Sequence, residues 1–158
     1  MRTLFSSRKF LFSSSVVAVL VLSMVLVAMA QANKAATQAQ TTTANSAQIA
    51  RGKYIVNDVA MCTMCHSPRT ASGDIDQTKL LMGAPTFLRP AQPMADWPNI
   101  CPRIGGTPPG TDQEMVTLLT TGIWKTGQPL RQPMPQFRMT KEDAEAVVAY
   151  LKSLKNEY

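Results

Sequence analysis

Met61-Cys62-Thr63-Met64-Cys65-His66 is the stretch that decides how the rest of this chain reads. It contains C-x-x-C-H, the attachment signature of a c-type haem. Two thiols three positions apart stand about one turn apart on a helix. They reach the two vinyl groups on one edge of a porphyrin and form thioethers. The adjacent imidazole then points at the iron. The spacing is short because all three groups must meet one flat, rigid ligand. The expected cofactor is a single haem c, covalent through Cys62 and Cys65, with His66 as a metal ligand. Two other chemistries use similar residues. A thioredoxin-like dithiol wants a βαβ context, and none surrounds this motif. A zinc site would take Cys62, Cys65, His66 and the distant Cys101, but adjacent Cys65 and His66 are poorly placed for two corners of a tetrahedron.

The chain has 158 residues, enough for one domain plus a targeting segment. Arg2, Arg8 and Lys9 precede an apolar run from Phe10 to Ala30, broken only by serines until its end. Ala28-Met29-Ala30 has the small-residue pattern of a cleavage site, so 1–30 reads as a signal peptide. The run is also long enough to serve as an uncleaved signal anchor. Either way the remainder works outside the cytoplasm, where bacteria attach haem to C-x-x-C-H. Removing Arg2, Arg8 and Lys9 leaves 13 basic against 10 acidic residues, a balance of +3. That is too weak and too scattered for a nucleic-acid footprint. If haem takes Cys62 and Cys65, Cys101 has no intramolecular partner; burial as a small hydrophobe is favoured over a reactive role.

Residues 31–47, QANKAATQAQTTTANSA, are small, polar and free of aromatics. They read as a disordered linker, with the folded domain spanning 48–158. From Gln48 to Cys65, Ile49, Tyr54, Ile55, Val59 and Cys62 recur close to helical spacing. One helix is expected to end by delivering Cys62, Cys65 and His66, since Pro68 cannot continue it. Residues 67–110 hold eight prolines and five glycines and keep no regular period. So long a loop is unusual in a compact domain, but a large planar ligand gives Leu80, Leu81, Phe87, Leu88, Trp97 and Ile100 something to pack on. Thr111-Asp112-Gln113-Glu114 is a capping box. It opens a helix to about Thr121, with Met115, Leu118 and Leu119 on one face, ended by Gly122. Gly127 to Pro135 is a second haem-side loop. Thr140 caps the last helix, with acids in its first turn. Ala144, Val147, Val148, Leu151 and Leu154 form its apolar face, expected to cover the first helix.

His66 is the chain's sole histidine, so a second imidazole from this chain cannot complete the iron's coordination. A methionine thioether is the usual partner. Met64 lies inside the motif and cannot reach the other face. Met115 belongs to a helical core face. Met134 stands between Pro133 and Pro135, which stiffen an extended backbone and hold a thioether with little entropy loss. Met134 is therefore the expected second metal ligand, ahead of Met139, Met82 and Met94.

At these residues the chain resembles the class I single-haem cytochromes c. The resemblance covers roughly 50–156. It rests on Arg51-Gly52-Lys53-Tyr54, the C-x-x-C-H of Cys62 to His66, Pro133-Met134-Pro135 and Ala149-Tyr150-Leu151. Within that family it is most similar to the cytochrome c subunits of bacterial membrane-associated dehydrogenases. His66-Ser67-Pro68-Arg69 matches a typical C-H-T-P-R, and Pro98-Asn99-Ile100 a typical P-N-I-T-P. Cys101 stands where Thr is usual, and those subunits often carry three haem domains where this chain has one. The resemblance implies an all-α cytochrome c fold over 48–158, with first and last helices crossing over one haem edge. It implies His66 and Met134 as axial ligands. It also puts a glycine and aromatics at the helix crossing, for which Gly52, Tyr54 and Tyr150 are candidates, at a slightly long offset from Gly52 to Cys62.

The expected function is periplasmic electron transfer with no substrate bond made or broken. The donor is expected to be a dehydrogenase, and the acceptor another cytochrome or a terminal oxidase of a respiratory chain. A gas-binding haem sensor would need an open or labile sixth site, against which Pro133-Met134-Pro135 argues. A haem peroxidase would need a distal acid–base group, and the lone histidine supplies none.

Overall fold

The computed structural model describes residues 9–154, with side chains from Ser23 onward. Arg2 and Arg8 of the expected targeting segment lie outside the described residues. The chain divides into two units, Met1–Ala44 and Asn45–Tyr158.

The N-terminal unit is carried by α1, Lys9–Tyr54, whose last turns belong to the second unit. Residues 31–47, expected as a disordered linker, are helical. The reason is local. Alanine and glutamine are good helix formers, and the threonines return their hydroxyls to the carbonyl four residues back. Thr37 donates to Asn33, Thr41 to Thr37, Thr42 to Gln38 and Thr43 to Ala39, each at 2.9 Å. The backbone thus keeps its helix while the side chains bond to it rather than compete with it. No tertiary core is involved: every described side chain from Ser23 to Gln48 is exposed. Among the described residues, no helix is long and apolar enough to cross a membrane.

In the second unit the expected single helix from Gln48 to Cys65 is broken into three pieces. The α-helix stops at Tyr54, a π-turn spans Ile55–Val59, and α2 is a separate short helix, Cys62–His66. The π-turn closes with Ala60 N–H donating to Ile55 O at 2.7 Å. It inserts one residue and rephases the faces, a common use of such turns. Ile55 and Val56 therefore enter the core, while Tyr54 and Val59, expected on the buried face, stay exposed. Met61 then adopts a left-handed conformation, φ 50°, as the cap of α2. Ser67 is extended, as a residue before proline must be.

Residues 67–110 are mostly irregular, with two local exceptions. Gln77–Lys79 makes a 3-10 turn, capped by the Asp76 carboxylate on the Thr78 amide. Two short strands, β1 (Ala84–Pro85) and β2 (Ile100–Cys101), pair antiparallel, with Ala84 opposite Cys101. Two-residue strands leave no periodic trace in a sequence.

Helix α3, Asp112–Thr121, begins with both halves of the Thr111–Glu114 capping box and ends at Gly122, φ 74°. Helix α4, Lys141–Ser153, is capped by the Thr140 hydroxyl accepting from Asp143 N–H. Met115, Val116, Leu118 and Leu119 of α3 pack with Ala144, Val147, Val148 and Leu151 of α4, and Ile55 and Val56 close the same core. The main partner of α4 is thus α3. Its contact with α1 is a crossing at Gly52, whose position carries no room for a Cβ beside the Ala146 carbonyl. Tyr150 stands at that crossing, while Tyr54 points to solvent beneath the Arg51 guanidinium.

Candidate functional site

A cavity of about 550 Å³ opens beside α2, within the size range of small-molecule and cofactor sites. Cys62, Cys65 and His66 line it from α2; Ile100, Cys101, Pro102 and Ile104 from the first loop. Met115, Leu118 and Leu119 of α3, with Val147 and Leu151 of α4, present their helical faces to it. The second loop contributes Gln128 to Arg131 and Pro133 to Pro135, including Met134. Both Pro/Gly-rich segments therefore end on this cavity, which explains how they persist without regular structure.

The loop residues assigned to the ligand from sequence are only partly correct. Ile100 lines the cavity. Leu81 instead enters the core, fully buried. Phe87 lies under the Arg69 guanidinium, 4.9 Å from its centroid. Trp97 borders a neighbouring pocket on the Met134 loop and donates its indole N–H to Leu88 O at 3.1 Å. Leu80 and Leu88 do not line the cavity. Hydropathy alone could not separate loop residues that serve the ligand from those that serve the loop.

The imidazole of His66 is buried and its orientation is fixed. Nδ1 lies 2.6 Å from the Pro102 carbonyl oxygen. A carbonyl can only accept, so Nδ1 carries the proton and Nε2 keeps a free lone pair. That is the tautomer a metal-ligating histidine needs, and such partners raise its basicity. Burial pushes the imidazolium pKa down, against the opposing pull of the Pro102 bond. Sequence reasoning missed Pro102. Its contribution is a main-chain oxygen 36 positions away, invisible to side-chain type.

Burial pushes Cys62 up to about 11 and raises Cys65 as well. Thiolate is the nucleophile in disulfide chemistry, and burial works against that form at both positions. Cys101 is buried on the same wall, its sulfur 3.5 Å from the Thr86 hydroxyl. The zinc alternative fails geometrically: among the described residues, no three His, Cys, Asp or Glu side chains gather closely enough to hold a metal ion.

The methionines separate clearly. Met134 and Met115 line the cavity; Met82, Met94 and Met139 do not. Met139 packs against the core and donates its N–H to Leu119 O at 3.0 Å. Met94 and Met64 are exposed.

The residues fit a haem. The lining is apolar, the thiols and imidazole stand together on one short helix, and the imidazole presents its metal-binding tautomer. Such a group supplies a one-electron ferric/ferrous couple. The chain's own part is to tether it through two cysteines, orient one ligand, and exclude water with α3 and α4.

The cytochrome c family model matches residues 49–155. No curated protein matches the chain. The match begins where the π-turn region and its helix enter the core and ends with α4, so it spans the whole unit that builds the cavity. The chain belongs to the cytochrome c family: it binds one c-type haem covalently through Cys62-x-x-Cys65-His66 and carries electrons between partner proteins without catalysing a reaction of its own.

Proposed function

We propose that Met134 is the sixth ligand of the iron and that this cytochrome works outside the cytoplasm, between a dehydrogenase and another cytochrome or terminal oxidase. The observation that carries the ligand assignment is that Met134 lines the cavity that His66 lines, on a loop between two prolines. Met115, the other methionine there, is 4 % exposed and held in the α3–α4 core. A thioether favours ferrous over ferric iron relative to harder ligands and so raises the potential, which suits an acceptor from a dehydrogenase. The basic, apolar N-terminus supports export, to the periplasm or the outer face of the inner membrane, with membrane attachment only through an uncleaved segment.

Carbon monoxide titration of the reduced protein tests this against a gas-binding role. A Met134-ligated carrier keeps its spectrum unchanged under carbon monoxide. Rapid, stoichiometric binding would instead assign a labile sixth site.

A further inference from the structure

The His66 imidazole owes its orientation to the Pro102 carbonyl, and Pro102 lies in irregular chain between β2 and α3. Further along, Gly106 N–H donates to Leu151 O of α4 at 2.8 Å, and two points flank Pro102 more closely. On one side Ala84 pairs with Cys101, and the neighbouring Gly83 N–H donates to His66 O at 2.7 Å. On the other side Leu81 O accepts from both Ile104 N–H and Gly105 N–H, each at 2.9 Å. Pro102 and Arg103 span the gap between them. Gly83 is needed there twice over. Its φ is 87°, and an added Cβ would stand 2.9 Å from Arg103 N.

Leu81 is the unusual member. It is fully buried yet left-handed, φ 62°, a conformation that crowds the Cβ of any residue but glycine. The turn aims its carbonyl at Ile104 and Gly105 and its N–H toward Ser67. Ser67 is 1 % exposed, and its hydroxyl accepts that N–H at 2.9 Å. Without the hydroxyl the Leu81 amide would be a buried donor with no partner, and the strained turn would lose its offset. Ser67 also directly follows His66, so one end of the chain of bonds starts beside the ligand it finally orients.

We propose that Ser67 is a positioning residue for the iron's imidazole: its hydroxyl fixes Leu81, Leu81 clamps Ile104 and Gly105, and the clamp holds the Pro102 carbonyl on His66 Nδ1. This rests on His66 as the haem ligand and is independent of which residue fills the sixth position.

The test compares three variants of the haem-loaded protein. A strong Nδ1–H bond gives the imidazole anionic character and favours ferric iron. Ser67→Ala should therefore lower the ferric-to-ferrous ratio at a fixed mediator potential by about threefold and move the His66 Nδ1–H proton resonance. Ser67→Thr, which keeps the hydroxyl, should restore both. Val148→Ala, in the core but off the cavity, should lose stability and move neither. The proposal is overturned if Ser67→Ala is destabilised with ratio and resonance unchanged, or if Val148→Ala shifts them equally. A second measurement needs no variant. In the unaltered ferrous protein, His66 Nδ1–H and the Ile104 and Gly105 amides should exchange with solvent through one opening, with protection within about tenfold of each other. A larger gap contradicts the clamp. Haem retained on the chain in denaturant, checked for each variant, separates failed positioning from failed attachment.

Discussion

Gly52 rests its backbone directly on the carbonyl of Ala146. A Cβ at Gly52 would collide with that oxygen and stand 2.8 Å from the Tyr150 Cβ. The first and last helices of the folded unit therefore touch main chain to main chain. Neither partner can yield by turning a side chain. Gly52→Ala should destabilise the folded unit by about 3 kcal/mol, the upper part of the range for overpacking, read from urea unfolding of the haem-loaded protein. A loss under about 0.5 kcal/mol, the scale of a neutral surface change, would mean the crossing is looser than described.

Arg51 adds an ionic tie at the same crossing. Its Nε and Nη2 donate to the two carboxylate oxygens of Asp143 at 2.9 and 3.1 Å. These bonds hold the Asp143 carboxyl below the usual carboxylate range. A carboxylate depressed on folding stabilises the fold above its unfolded pKa and loses that contribution as pH falls through the folded one. Asp143→Asn should therefore weaken the protein near neutral pH and flatten the acid limb of its stability curve. Both residues are partly solvated, so the effect should shrink in high salt. A variant whose acid limb matches the parent's would show that the pair carries no linkage.

The motif and the two capped helices were legible in the sequence because each rests on local chemistry, whereas Gly52 at the helix crossing came only from the family resemblance. A capping box needs Thr111 and Glu114 three apart; thioether attachment needs Cys62, Cys65 and His66 in one turn. The π-turn at Ile55–Val59 was not legible. Its extra residue is stabilised by burying Ile55 and Val56 together, a tertiary gain with no periodic signature. The helix over 31–47 left no such signal for the opposite reason: its composition argues against a core, and a core is not what holds that helix. Pro102 and Leu81 act through main-chain atoms at long range, where residue type carries little information. Of the methionines, sequence narrowed the choice by neighbouring prolines, and Met134 and Met115 are the two that line the cavity.

The identity of the sixth ligand is the central proposal made for this cytochrome, and reduction potentials of paired variants test it most directly. Axial ligands move haem potentials across a range of about 0.8 V. Met134→His should lower the potential by on the order of a few tenths of a volt, because nitrogen stabilises ferric iron where a thioether does not. Met134→Ala should open the iron to carbon monoxide. Met139→Ala and Met115→Leu should leave potential and carbon monoxide affinity close to the parent's, with only stability reduced. If Met134→His leaves the potential in place while Met115→Leu or Met139→Ala shifts it and opens the iron, Met134 is not the ligand.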